Sequence, residues 1–107
     1  MIDEAKFDKI ADEELRELER RLGEIDPDEV EVDLASGVLT LTLPQGGTVV
    51  INSHRAAGQI WMAAFRKAWH FDPKPEGAGW KWRTASDELH EALSQALSAK
   101  LGRPIVV

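Results

Sequence analysis

Val30-Glu31-Val32-Asp33-Leu34, turned at Ala35-Ser36-Gly37 into Val38-Leu39-Thr40-Leu41-Thr42-Leu43, is the stretch whose reading decides the fold. Apolar residues return at every second position on both sides of the turn, the period of a strand with one buried face. Pro44-Gln45-Gly46-Gly47 turns the chain again, and the β-branched run Thr48-Val49-Val50-Ile51 supplies a third strand. Connections this short join antiparallel neighbours, so a meander is expected.

Working outward toward the N-terminus, the period changes. Phe7, Ile10, Ala11, Leu15, Leu18, Leu22 and Ile25 recur at helical spacing, which predicts an amphipathic helix over residues 4–22 that stops at Gly23. Asp26-Pro27 then forces a turn. Toward the C-terminus, residues 55–71 have fair helix propensity, but Gly58 interrupts it. Gln59-Ile60-Trp61-Met62 and Ala68-Trp69-His70-Phe71 each fit a short strand. Asp72-Pro73-Lys74-Pro75-Glu76-Gly77-Ala78-Gly79 reads as loop by composition, before a short final strand at Trp80-Lys81-Trp82. A second helix follows, capped by Thr84 in a capping box with Asp87 or by Ser86. Its apolar stripe is Leu89, Ala92, Leu93, Ala96, Leu97 and Leu101, and Gly102 with Pro104 stops it. Helix, antiparallel sheet and helix make an α+β two-layer sandwich, with both helices on one sheet face. Residues 1–107 are expected as one domain.

Composition narrows the function. Cysteine is absent, which removes thiolate nucleophiles, cysteine-ligated zinc and the usual ligands of an iron–sulfur cluster. No apolar run is long enough to span a bilayer. The acidic start Met1-Ile2-Asp3-Glu4-Ala5 lacks the features of a signal peptide, so a cytoplasmic setting is expected. The net charge of −6 is unevenly placed: residues 1–35 carry 14 acidic and 5 basic side chains, −9, which leaves +3 on the rest. An acidic end of this strength repels phosphate backbones and disfavours nucleic acid as a partner.

Val50-Ile51-Asn52, then Gln59-Ile60-Trp61, then His70-Phe71-Asp72 and Trp80, with Gly37-Val38-Leu39-Thr40-Leu41 before them, resemble the frataxins and their bacterial CyaY members over about residues 4–101. The resemblance implies an iron-binding acidic ridge on the first helix and first strand. It also implies a sheet surface that contacts the cysteine desulfurase and scaffold of iron–sulfur cluster assembly. Carried over by position, the ridge comprises Glu19, Glu24, Asp26, Asp28, Glu29, Glu31 and Asp33, joined by Asp12 or Glu13. Arg20 and Gly23 stand where bacterial relatives place further acids, so the ridge is thinner here. Carboxylate oxygens are hard ligands that suit Fe³⁺ and hold Fe²⁺ weakly when they line an open row, which makes iron a loosely held, salt-sensitive cargo. The partner surface comprises Asn52, Gln59 and Trp61, bordered by Arg55, His54 and His70. If Val49 and Ile51 point inward, Val50 and Asn52 point outward.

Each of these residues also has a plainer reading. An acidic helix face is ordinarily a solvated face. Four tryptophans in so small a chain mean that at least two, Trp69 and either Trp80 or Trp82, serve the core. His90 follows an acid at helical spacing, as in di-iron bundles, but stands alone and is expected at the surface, as are His54 and His70. No nucleophile constellation accompanies the histidines, so no enzyme is expected. The reading that results is a monomeric iron-binding adaptor. Its alternatives are an iron store or ferroxidase that oligomerises with iron, and an acidic protein-binding domain with no iron role.

Overall fold

The computed structural model describes residues 2–107. A 19-residue helix α1 (Glu4–Leu22) leads into six strands, β1 (Glu31–Ala35), β2 (Val38–Thr42), β3 (Thr48–His54), β4 (Gln59–Ala64), β5 (Lys67–Glu76) and β6 (Gly79–Arg83), and helix α2 (Leu89–Leu101) closes the chain. The strands form one antiparallel meander in the order β1-β2-β3-β4-β5-β6. The fold class is the two-layer α+β sandwich that the periodicity predicts.

Asp3 caps α1 by accepting a 2.7 Å hydrogen bond from the Lys6 amide, and Arg20 and Arg21 sit in its last turn, where the helix dipole favours cations. Phe7, Ile10, Ala11, Leu15, Leu18 and Leu22 are the face it buries. They meet Leu39 and Leu41 of β2, Val49 and Ile51 of β3, Ile60 and Met62 of β4, and Leu89, Leu93 and Leu97 of α2 in one core cluster. Because one sheet face is dry, a one-residue slip anywhere would exchange these residues for Thr40, Val50 and Trp61, so the register is strongly specified.

Two hairpins turn on residue pairs with both φ values positive: Ser36 (51°) with Gly37 (76°), and Phe65 (47°) with Arg66 (77°). This is the turn whose twist matches the flanking strands. A Cβ on Gly37 would also meet Ser53 Oγ at 2.8 Å. Gly37→Ala is expected to lower stability by about 1–2 kcal/mol, from the left-handed backbone and the contact together. A urea titration checks it, and an unchanged midpoint contradicts the account.

Two sequence expectations need correction. Residues 72–76 are strand and not loop: β5 runs on to Glu76, with Pro73 opposite Trp82 and Pro75 opposite Trp80. Both prolines occupy positions that donate nothing to β6, and β4 pairs β5 only as far as Phe71, so the edge they spoil has no partner. At the start of α2 neither Thr84 nor Ser86 is the cap. Thr84 Oγ1 accepts from the amides of Ser86 and Asp87 at 3.3 and 2.9 Å, closing a turn before the helix. The cap is the buried Glu88, whose carboxylate accepts from the His90 and Glu91 amides.

Candidate functional site

The alternation of β1 puts Val32 and Leu34 toward the core and leaves Glu31 and Asp33 exposed on the outer face of an edge strand. Glu24, Asp26 and Asp28 are exposed in the connection between α1 and β1, where Asp26 Oδ1 accepts the Asp28 amide at 2.9 Å. The helix end, the connection and the first strand thus carry five exposed carboxylates. The remaining two of the predicted ridge are less free. Glu19 is half-buried, and Glu29 is half-buried in an ion pair with Arg103. Glu24 has only a loose contact with Arg20, at 3.8 Å. On the flank of α1, Asp12 pairs with Arg16 at 2.9 Å and Glu13 lies 4.0 Å from Lys9. Among the described residues, no three His, Asp or Glu side chains converge as a metal site would require.

The α1 acid Glu17 is paired as well. Glu17 accepts from Arg20 and from Arg21, and these hydrogen bonds hold its carboxyl down at about 2. It is fully ionised and already neutralised by its neighbours.

The outer sheet face presents a different chemistry. Val38, Asn52, Trp61 and His70 stand in register across β2, β3, β4 and β5. Trp61 is half-buried and lies between two imidazoles: His54 stacks on one side at 3.8 Å and 19°, His70 on the other at 4.1 Å and 11°. Its Nε1–H donates to Gln59 Oε1 at 2.8 Å, and Gln59 Nε2 donates to Asp72 Oδ1 at 3.0 Å. The indole therefore stands outside the core, yet both its faces and its only donor are already engaged. A slab of three rings, held upright by a Gln–Asp pair, is offered to solvent. Beside it Thr40, Val50, Ala63 and Ala68 form a row of small side chains, which leaves the slab proud of a flat surface.

Arg55 does not join this face. It lies in a short 3₁₀ turn (Arg55–Ala57) and reaches α1, with Nη2 2.5 Å from Asp8 Oδ2 and Nε 3.4 Å from Glu4 Oε2, and the bond to Asp8 raises its pKa further. His90 is not at the surface as expected. Its Nε2 pairs with Glu14 of α1 and its Nδ1 is 2.8 Å from the Val107 carbonyl oxygen. The Glu14 bond raises its pKa against the opposing effect of burial. Ser94 and Ser98, one and two turns further along α2, also bind the tail, at the amides of Val107 and Ile105 (3.0 and 2.8 Å). The polar stripe His90, Ser94, Ser98 at four-residue spacing was the available sequence signal for this seam. Of the tryptophans, Trp82 is buried and Trp69 and Trp80 are half-buried against the core.

A two-helix, six-strand antiparallel sandwich with an aromatic, amide-bearing outer face defines a class of small α+β domain. The family model described as the frataxin-like domain matches residues 1–103, and the chain belongs to that family. The structure of frataxin from Psychromonas ingrahamii, of the CyaY protein family, superposes with a TM-score of 0.80 at 22% identity, over 98% of this chain and 97% of that one. Membership supports an iron-related role in iron–sulfur cluster assembly. Among the described residues, no helix is long and apolar enough to cross a membrane.

Proposed function

We propose that the protein is an adaptor that carries iron weakly on its acidic edge and docks through its outer sheet face on a cysteine desulfurase and its scaffold. The observation that carries the iron half is the run of five exposed carboxylates from Glu24 to Asp33, free of any closed ligand set among the described residues. An ion on such an edge meets one or two carboxylates at a time and keeps water in its other positions. Affinity is then low, several ions share the row, and salt weakens all of them. That is suited to passing a cation on. A store or ferroxidase needs converging ligands that fix the ion for oxidation, so the adaptor reading is favoured.

The half-buried Glu29, tied to Arg103, serves as a fastener more than a ligand, and Glu19 stands apart from the exposed row. Iron contact concentrates on Glu24, Asp26, Asp28, Glu31 and Asp33. Titrating Fe²⁺ into labelled protein is expected to broaden amide signals of residues 24–33 first. Glu31→Gln with Asp33→Asn should weaken this by about three- to tenfold, the effect of removing two of several exposed charges. Broadening centred elsewhere, or one tight stoichiometric site, refutes the assignment.

A further inference from the structure

A groove of about 420 Å³ lies between the β4–β5 hairpin and α2, on the helix-covered side of the sheet and apart from both the acidic edge and the outer face. That volume falls within the range of small-molecule sites. Its floor is one face of α2, where Ala92, Ala96 and Ala99 recur at helical spacing and end beside Lys100. Trp69 forms one wall, fixed by donation of its Nε1–H to Asp87 Oδ2 at 3.2 Å.

Phe65 forms the other wall, and its backbone holds it there at a cost. Phe65 and Arg66 are both left-handed, with φ of 47° and 77°, a conformation that disfavours side-chain-bearing residues by about 1–2 kcal/mol each. The loop across from it makes room: a Cβ on Gly47 would come within 2.7 Å of Phe65 Cε1. Lys100 Nζ lies 5.4 Å from the centre of the Phe65 ring, and Lys67 lines the same groove. Neither lysine forms a salt bridge among the described residues. The groove thus has a floor of alanines interrupted by Gln95, two aromatic walls, and two ammonium groups without a salt-bridge partner among the described residues, in a chain whose net charge is −6.

We propose that this groove binds a small carboxylic acid with an apolar body, its carboxylate held by Lys67 and Lys100 and its body laid along the alanine face toward Trp69. The reverse orientation would bring the carboxylate to Asp87 at the far end. The C-terminal end of α2 opposes an anion with about half a unit charge, and two full positive charges outweigh it. A neutral body of the same shape gains only the apolar contacts, and a cationic one is repelled.

Octanoate, octanol and octylammonium share a chain and differ in head charge, so they separate these contributions. In a nitrogen–proton correlation titration of the full chain, octanoate is expected to give saturable shifts confined to residues 64–69 and 92–100. It should bind about tenfold more tightly than octanol, and octylammonium should give no saturable shift. Lys67→Met with Lys100→Met should erase the preference for octanoate over octanol. Ala99→Phe, at the exposed end of the alanine floor, should fill the groove and abolish the shifts while the rest of the spectrum stays in place. Absence of saturable shifts with octanoate, equal affinity for octanol, or shifts that survive Ala99→Phe would overturn the proposal.

Discussion

Trp61→Arg is expected to leave the fold intact and weaken binding to the cysteine desulfurase by about 30-fold or more, the size of a hot-spot loss near 2 kcal/mol. The fold survives because Trp61 projects from the outer face, opposite the layer in which Ile60 and Met62 are buried. What disappears is the centre of a stack. His54 and His70 are each held by the indole face they cover, and each such ring pair contributes about 0.5–1.5 kcal/mol beyond its buried area. Removing the middle ring frees His70 and leaves His54 held only by the Ala57 amide, which donates to its Nδ1 at 3.3 Å, so a partner that fits three rings in fixed order must order these side chains again at its own cost. The substitution also puts a guanidinium between two imidazoles, which penalises any complex that dehydrates them. Calorimetry with the isolated desulfurase measures the change, and dichroism and melting check the fold. Unaltered affinity would remove the sheet face from the docking surface.

The second large effect concerns the seam between the helices. His90 faces a carboxylate through one ring nitrogen and a carbonyl oxygen through the other. Both neighbours accept, so the arrangement favours the form in which both nitrogens donate, the imidazolium. The sign of the linkage follows. The folded-state pKa is raised from the ordinary 6.5, so the extra stability is complete below that unfolded value and is lost as pH climbs through the folded one. Glu14 of α1 and Glu88, the cap of α2, both favour the charged ring, and Arg21 and Lys81 line the same cleft. Stability measured in urea from mildly acidic to alkaline pH should therefore fall by about 1–3 kcal/mol from this pair. Glu14→Gln should flatten that slope and lower stability most at the acidic end. A slope that is identical in the variant would show that another group sets it.

Much of this molecule was legible from periodicity. The switch from a spacing of three and four in α1 to two in β1, β2 and β3 has one physical cause, a single dry layer between helices and sheet. It also fixed which of Val49, Val50, Ile51 and Asn52 face inward. The failures have causes too. The stretch from Asp72 to Gly79 was read as loop by composition, whereas the spacing of Pro73 and Pro75 sends both missing donors to one unpaired edge. Thr84 resembled a helix cap because a hydroxyl closes a turn with the same local hydrogen bonds. Arg55 and Glu29 were assigned by position in a pattern. Their partners, Asp8 and Arg103, lie 47 and 74 residues away, a distance over which spacing carries no information. His90 was placed in solvent because its partner, Glu14, is equally remote in sequence. The outward placement of Trp61 was readable from parity, but not its enclosure by His54 and His70, which depends on pairing across three strands.

The meander has a bearing on how the chain comes off the ribosome. Every strand pairs with its successor, so the sheet can zip together hairpin by hairpin as it emerges, with little loop entropy to overcome. The two helices that cover it come from opposite ends, and Phe7 meets Trp82, as Glu14 meets His90, only when synthesis is nearly over. Until Leu89, Leu93 and Leu97 have been translated, the nascent sheet is half-roofed and its greasy side remains open to chaperones and to neighbouring chains.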